Sequence, residues 1–177
     1  LRSILGRKTG HEPKVYQSFT EKKFNIPENI TKPPKQNHEI LEGEDKKEFL
    51  KGAEIAYETI LTSFAHGDLK KLKSLLTDTM NNNFSAAITA RNSDKIKSEF
   101  TFIGIKESSV EKYEKVKDDL FASVKFAAEV ISVKKDKDNK IIEGNPDKIK
   151  FVVDIWKFTR NIKDKNPNWY LSEIISQ

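Results

Sequence analysis

The spacing of the apolar residues changes near Asn92, and this change constrains the fold more than any other feature of the sequence. Before Asn92 the apolar residues recur at intervals of three and four, which is typical of one face of an α-helix. After Asn92 they alternate with polar residues, which is typical of strands with one buried face. Helices followed by antiparallel strands predict an α+β domain, with helices covering one face of the sheet.

The first half predicts three helices. The first runs from about 45 to 66, with Asp45 and Glu48 as a capping box and Gly67 as the C-cap. A second, short helix begins after Asp68, and a third begins at Thr77 or Asp78. Their apolar faces comprise Phe49, Ala53, Ala56, Tyr57, Ile60, Leu61 and Phe64; Leu69, Leu72, Leu75 and Leu76; and Met80, Phe84, Ala87 and Ile88.

The second half predicts about four strands, near 100–105, 120–130, 149–155 and 169–175. On the third of these strands, both alternating sets of side chains contain bulky apolar residues, such as Phe151 in one set and Trp156 in the other. We therefore expect both faces of this strand to be partly covered. A strongly curved sheet folded around a helix has this property, and the concavity that it leaves is where a ligand would bind.

The first 44 residues differ in character from the rest. Residues 1–40 hold eight Lys and Arg against four Asp and Glu, together with four of the six prolines. This composition predicts a basic, extended linker, followed by a folded domain over 45–177. The basic residues of its first part are Arg2, Arg7, Lys8 and Lys14. Because the first residue is Leu1 and not Met, we expect a segment upstream of it.

Several classes of protein are excluded or disfavoured by composition. The chain has no Cys, which excludes thiol catalysis, thiolate metal sites and disulfides. The three His residues show no metal-site or catalytic-triad spacing, so no metal or cofactor is expected. No apolar run is long enough to span a membrane within the given residues. The lysines of residues 41–177 alternate with acidic residues, which disfavours nucleic-acid binding.

A series of short blocks carries a family resemblance. The blocks are FLKGA at 49–53, AYE at 56–58, FAHGDLK at 64–70, LLTD at 75–78, FAAEVIS at 126–132, EGNPD at 143–147, DIWKFTR at 154–160 and NPNWYL at 166–171. In this order they resemble the Tim44-like domain over residues 45–177. Residues 2–12 are similar to the segment that follows the N-terminal membrane anchor in bacterial members of the family. Asn161 and Asn166 depart from the resemblance, since Asp is common at both positions.

The resemblance implies a cone-shaped fold like that of nuclear transport factor two, with three helices packed on a bent antiparallel sheet. It also implies a non-enzymatic scaffold or binding module of protein translocation at the inner membrane, which holds lipid, a polypeptide client or both. The implied partners are anionic lipid such as cardiolipin, the client, and a heat-shock chaperone. The implied location is the bacterial inner membrane with the domain facing the cytoplasm, or the matrix side of the mitochondrial inner membrane in a eukaryote.

The candidate site consists of aromatic and charged residues from the first helix and the last two strands. Its members are Tyr57, Asp154, Trp156, Phe158, Arg160 and Trp169. One interpretation is a pocket for an acyl chain or an extended peptide, and another is a packed core with a charge pair between Asp154 and Arg160. A third is an isomerase-like or hydratase-like enzyme of the same fold, using Asp154 with Tyr57 or Tyr113.

Overall fold

The computed structural model describes residues 43–175, and it confirms the predicted α+β architecture. The helices come first and the strands follow. The elements are α1 (Gly43–His66), α2 (Leu69–Lys73), α3 (Asp78–Ser93), β1 (Lys97–Val116), β2 (Asp119–Lys135), β3 (Ile141–Gly144), β4 (Lys150–Asn161) and β5 (Tyr170–Ile175).

Helix α1 is the long helix that the apolar spacing predicts, and it ends as predicted at Gly67. This glycine has φ +74°, and the next N–H, that of Asp68, donates to the carbonyl of Ser63 at 2.8 Å. Such a left-handed residue closes the helix by satisfying its last carbonyls. The predicted capping box is wrong, because α1 begins at Gly43 and Asp45 lies inside its first turn. There the carboxylate faces the positive end of the helix dipole.

Polar side chains start both shorter helices, as the sequence predicts. The carboxylate of Asp68 accepts from the N–H of Lys71 at 3.1 Å, and the hydroxyl of Thr77 accepts from the N–H of Met80 at 3.4 Å. The segment between α2 and α3 also pairs with β5. Leu171 donates its N–H to the carbonyl of Leu75 at 2.9 Å and accepts from the N–H of Thr77 at 3.0 Å. The helices and the last strand are therefore joined by backbone hydrogen bonds.

The sheet is antiparallel throughout, in the order β1-β2-β4-β5, with β3 paired to β2. Strands β1 and β2 form a long hairpin that turns at Lys117, whose φ is 56°. The register of this hairpin shifts between Phe102 and Gly104, between Ile105 and Glu107, and between Val110 and Lys112. Bulges of this kind bend a strand and increase its twist, which curves the sheet around α1.

Two features of the sheet differ from the sequence-based prediction. Strand β1 continues to Val116, about ten residues beyond the predicted end, because the three irregularities interrupt the alternation along it. The short strand β3 is not among the predicted strands, because its two isoleucines, Ile141 and Ile142, are too few to show a period. The sheet therefore has five strands, four of which correspond to the predicted ones.

The core lies between α1 and the alternating residues of β2 and β4 that face it. On β4 these residues include Val152, Asp154, Trp156 and Phe158, all of them buried. The opposite face of β4 is only partly covered, in agreement with the prediction, since Ile155 is buried on it whereas Phe151 is 53% exposed.

Candidate functional site

A groove with a cavity volume of about 600 Å³ runs beside α1. Its lining extends along the helix from Asp45 to Thr59, and its other wall comes from β4, from the segment before β5 and from Tyr113 of β1. The fourteen residue steps from Asp45 to Thr59 correspond to about 21 Å of helix. A cavity of this volume lies within the range of ligand-binding clefts in proteins.

Aromatic side chains form one end of the groove. Phe49 of α1 packs edge to face against Trp169, with ring centroids 4.8 Å apart, and against Phe158 at 6.4 Å. Further along the helix Ile55 also lines the groove although it is 61% exposed. Phe49 and Phe158 are themselves buried, so the apolar surface that binding would remove from water lies mainly at Ile55.

Arg160 supplies a positive charge to the wall of the groove. Its Nε is buried without a hydrogen-bond partner, and within the part of the chain that the structure describes no ion pair reaches its guanidinium. Asp45 and Glu48 line the same groove from the first turns of α1. A guanidinium presents several fixed donors that suit a carboxylate or a row of carbonyl oxygens.

Gly52 leaves the middle of the groove open. A Cβ added at this position would meet no heavy atom within 4 Å, although the residue lies in the interior of α1 and lines the groove. Glycine in a helix interior costs about 1 kcal/mol relative to alanine. The space above Gly52 is therefore accessible to a bound chain.

Tyr57, Asp154 and Trp156 lie in the core and not among the residues that line the groove. The phenol of Tyr57 donates to Oδ2 of Asp154 at 2.5 Å, and its ring stacks on Phe126 with centroids 4.3 Å apart. Burial is the main reason that the pKa of Tyr57 is raised well above 10.0; the negative charge of Asp154 and the hydrogen bond add to it. The pair forms a buried polar contact that joins α1 to β4.

The predicted site residues therefore fall into two groups. Phe158, Arg160 and Trp169 line the groove, whereas Tyr57, Asp154 and Trp156 are enclosed beneath it. The suggested charge pair between Asp154 and Arg160 is wrong, because six residues along one strand separate them by about 20 Å.

Several lining residues were not predicted as part of a site, among them Phe49, Gly52, Ile55 and Leu75. A signal for them exists in the sequence. Gly52 follows Phe49 and Leu50 within the apolar stretch of a helix, and such a glycine indicates a close approach or an open space. Whether that space belongs to a groove depends on β4 and β5, which are distant in sequence.

The predicted membrane-proximal residues Arg2, Arg7, Lys8 and Lys14 lie outside the described residues, so their role stays a prediction. Within residues 43–175 no helix combines the length and apolar character needed to span a membrane. Among these same residues no three acidic or histidine side chains are grouped as metal ligands.

Comparison with known proteins identifies the family. The profile of the Tim44-like domain matches residues 34–176. The crystal structure of the intermembrane space region of the chloroplast protein ARC6 is similar to this chain with a TM-score of 0.49 and 11% identity, covering 72% of this chain and 97% of that one. A ketosteroid isomerase-like protein from Erwinia carotovora atroseptica gives a TM-score of 0.41 and 15% identity, covering 73% and 98%. A sequence comparison with curated proteins gives no match. Tim44-like domains are associated with membranes and with protein translocation, and because the profile covers most of this sequence, the chain belongs to the Tim44-like domain family.

Proposed function

We propose that this protein is a non-enzymatic scaffold of protein translocation at the inner membrane, and that its folded domain holds a polypeptide client in the groove beside α1. The observation that carries the proposal is the aromatic groove itself, which is open to solvent along about 21 Å of helix. An extended polypeptide rises about 3.3 Å per residue, so the groove accommodates roughly six residues of a client.

The chemistry of the lining favours a polypeptide over a wholly apolar ligand. Thr59, Ser74 and Asn168 line the groove together with the aromatic residues. The hydroxyls of Thr59 and Ser74 donate to the carbonyls of Ile55 and Lys71 and can still accept from client N–H groups, and the amide of Asn168 can donate and accept. The guanidinium of Arg160 provides donors for client carbonyls or for an acidic side chain. A lipid acyl chain is the competing occupant, and it would offer no hydrogen bond to the guanidinium of Arg160, whose Nε has no partner in the protein.

The membrane contact is proposed to begin with the basic residues of the N-terminal linker. Arg2, Arg7, Lys8 and Lys14 against Glu12 give a net of three positive charges, each contributing about 1 kcal/mol near anionic lipid. The sum of about 3 kcal/mol falls short of the roughly 4 kcal/mol of a millimolar interaction. The linker therefore needs a second membrane contact, which an anchor upstream of Leu1 or the folded domain would supply. The proposed orientation has the domain facing the cytoplasm, or the matrix in a mitochondrion.

Substituting Gly52 tests the groove. Gly52→Leu places a side chain in open groove space and improves the helix propensity of α1, so we expect the free energy of unfolding to rise by about 0.5–1 kcal/mol. Binding of a permanently unfolded probe, reduced and carboxymethylated α-lactalbumin, should nevertheless fall about tenfold in fluorescence anisotropy titrations. Lys51→Leu adds the same side chain to the adjacent exposed position outside the groove, and it should leave binding unchanged. Equal binding by Gly52→Leu and the wild type would exclude the groove as the client site.

Substituting Arg160 tests the charged wall. Arg160→Gln should weaken binding of the same probe about tenfold or more, because charge-assisted hydrogen bonds contribute roughly 1.5–3 kcal/mol. Arg160→Lys should restore part of the affinity at low salt and less at high salt, since it keeps the charge and loses the bidentate geometry. If Arg160→Gln binds as the wild type does, the guanidinium has no part in holding the client.

An isomerase-like or hydratase-like enzyme remains the second candidate, and the hydrogen bond between Tyr57 and Asp154 is the observation in its favour. Both side chains are fully buried and neither lines the groove, so a substrate would not reach them without opening of the core. Asp154→Asn keeps the acceptor and removes the charge. Unchanged client binding with equal or higher stability would support a structural role for the pair, whereas a metabolite bound against Asp154 would support catalysis.

A further inference from the structure

The direction of β4 beneath α1 determines where the charges of the groove lie. Phe49 of α1 packs against Phe158, whereas Tyr57, two turns further along the helix, bonds to Asp154. Helix α1 and strand β4 therefore run in opposite directions. Arg160, which follows Phe158 on β4, consequently lies beside the first turns of α1.

The groove thus has a charged end and an uncharged end. The charged end holds Asp45, Glu48 and Arg160, which are all the charged residues in the lining. Lys46 and Lys47 belong to the same turns of α1, but they do not line the groove. The charged end therefore carries two negative charges and one positive charge.

The uncharged end offers apolar surface. Ile55 is 61% exposed, and Ala56 and Leu75, which also line the groove, are half-buried. Burying such side chains against a ligand is favourable because it removes them from water. A polypeptide that fits the whole groove therefore carries large apolar side chains at one end and charges of the opposite pattern at the other.

One short segment of the N-terminal linker has the apolar side chains that the groove requires. Phe24 and Ile26 are the only two large apolar residues within residues 1–42 that lie two positions apart. In an extended chain, side chains two positions apart point to the same side. This pair is therefore the one in the linker that an extended chain would present together to the uncharged end.

The residues before this pair carry the matching charges. Glu21, Lys22 and Lys23 supply one negative and two positive charges, the reverse of the charged end of the groove. We call residues 21–26 the 21–26 segment. Six extended residues measure about 20 Å, close to the length of the groove. Exposed ion pairs contribute little each, so we expect the charges to set the direction of the segment and the apolar pair to supply most of its affinity.

The connection back to α1 is long enough. Sixteen residues, 27–42, join the 21–26 segment to Gly43, and they span up to about 53 Å when extended. The far end of the groove, at Thr59, lies about 24 Å along α1 from Gly43. Gly43 has φ +58°, which glycine adopts without strain and which lets the chain change direction at the start of the helix.

We propose that the 21–26 segment occupies the groove of its own chain and must leave before a client binds. This proposal rests on the groove of the proposed function and identifies what controls access to it. A segment tethered by a short linker has an effective concentration of the order of 1 mM. With a Kd of about 0.5 mM it would fill about two thirds of the grooves, and the apparent affinity for a client would fall about threefold.

The first experiment traps the segment in the full 177-residue chain, which has no native Cys. Ile26→Cys/Ile55→Cys should form an intramolecular disulfide under mild oxidation at least tenfold faster than Ile26→Cys/Ile149→Cys. Ile149 is 58% exposed, much as Ile55 is, but it does not line the groove. Adding Phe24→Ser to the first pair should slow the reaction towards that of the control.

Equal rates for the two cysteine pairs would overturn the proposal. A covalent dimer on non-reducing gels would also overturn it, because the segment in the groove would then come from a second copy of the chain.

The second experiment uses the two tryptophans of the chain and no client. Trp156 is fully buried, whereas Trp169 is half-buried and lines the groove, so acrylamide quenching reports mainly on Trp169. Phe24→Ser/Ile26→Ser should increase this quenching about 1.5-fold, because the segment no longer covers the groove. Phe19→Ser/Ile30→Ser removes the same residue types outside the segment and should quench as the wild type does. Unchanged quenching in Phe24→Ser/Ile26→Ser would contradict occupation of the groove.

The third experiment measures competition with a client. Phe24→Ser/Ile26→Ser should bind reduced and carboxymethylated α-lactalbumin about threefold more tightly than the wild type, and Phe19→Ser/Ile30→Ser should bind it equally. Gly52→Leu weakens the competing segment as well as the client, so it should lower client binding more in the Phe24→Ser/Ile26→Ser chain than in the wild type.

Failure of this proposal can be distinguished from failure of the proposed function. If no variant binds the unfolded probe, the client site fails, and the disulfide rates and the quenching still test the segment. If Gly52→Leu lowers client binding while Phe24→Ser/Ile26→Ser changes neither binding nor quenching, the client site stands and occupation by the 21–26 segment is excluded.

Discussion

At the scale of single residues, two buried ionisable side chains give the protein opposite pH dependences. Lys134 is 5% exposed, and its pKa is lowered from 10.5 to about 8, chiefly by burial. The nearby Glu143 opposes this shift, whereas the charges of Arg91 and Lys150 add to it. Tyr57 has its pKa raised, again chiefly by burial. One group therefore costs stability at neutral pH, and the other loses its contribution at high pH.

For Lys134 the expected change follows from proton binding. Between pH 8 and 10.5 the unfolded chain holds a proton that the folded chain has lost, so stability should rise with pH across this interval. The lowering of the pKa of Lys134 from 10.5 to about 8 corresponds to roughly 3 kcal/mol. Lys134→Met should raise stability at pH 7 by about 1–3 kcal/mol and abolish the rise. Urea denaturation at a series of pH values measures both changes. If the stability of Lys134→Met rose with pH as steeply as that of the wild type, Lys134 would not be the cause of the rise.

For Tyr57 the sign is reversed. Below pH 10 the phenol is neutral in both states, and its hydrogen bond to Asp154 contributes in full. Above pH 10 the unfolded phenol ionises while the folded one stays protonated, so stability should fall. Tyr57→Phe should cost about 1–3 kcal/mol at pH 7, because Asp154 loses a buried donor, and should weaken this alkaline decline. A decline as steep in Tyr57→Phe as in the wild type would show that another group causes it.

At the scale of elements, the short strand β3 depends on one glycine. Gly144 has φ +84°, and a Cβ there would lie 2.0 Å from the carbonyl oxygen of Ser132. The strand joins β2 through the pairs of Val133 with Gly144 and Lys134 with Glu143. The close backbone approach at Gly144 is therefore a condition for the ion pair between Lys134 and Glu143.

Gly144→Ala should destabilise the domain by at least about 2 kcal/mol, through the left-handed backbone and the collision with Ser132. Amide hydrogen exchange should locate the loss of protection at β3. Gly104→Ala is the matched control, since its Cβ would meet nothing within 4 Å, and a change within about 0.5 kcal/mol is expected. Equal effects of the two substitutions would mean that the backbone approach is not what fixes β3.

At the scale of the whole molecule, β5 connects the helical layer to the sheet. Leu171 is fully buried, and its backbone bonds both to Leu75 and to Thr77, while its strand pairs with β4. The aromatic contact between Phe49 and Trp169 adds a link from α1 to the start of this strand. These links predict that the helices and the sheet unfold together in one cooperative transition.

Leu171→Ala should lower the free energy of unfolding by about 2–5 kcal/mol, as expected for a buried leucine whose cavity cannot close. Helical circular dichroism and tryptophan fluorescence should still report coincident transitions in urea. Val116→Ala, at a 51% exposed position, should change stability by less than about 0.5 kcal/mol. Separate transitions for the two probes would show that the helices and the sheet are independent units.

The sequence by itself determined the order and type of most elements. The three helices and their caps at Asp68, Thr77 and Gly67 depend on local spacing and on side chains within four residues, and these act before any tertiary contact forms. The alternation along β2 and β4 likewise marks the residues that face the helices. The family resemblance also follows from the sequence, because it depends only on short blocks of residues and on their order along the chain.

Only the tertiary structure decided which candidate residues meet a groove and which are enclosed. Trp156 and Phe158 lie on the same face of β4 and both are buried, yet only Phe158 reaches the wall of the groove. The difference depends on where α1 crosses the curved sheet, which is set by bulges in β1 and by packing between residues about a hundred positions apart. Periodicity specifies the face of an element, whereas depth beneath a neighbouring element depends on how the whole chain packs.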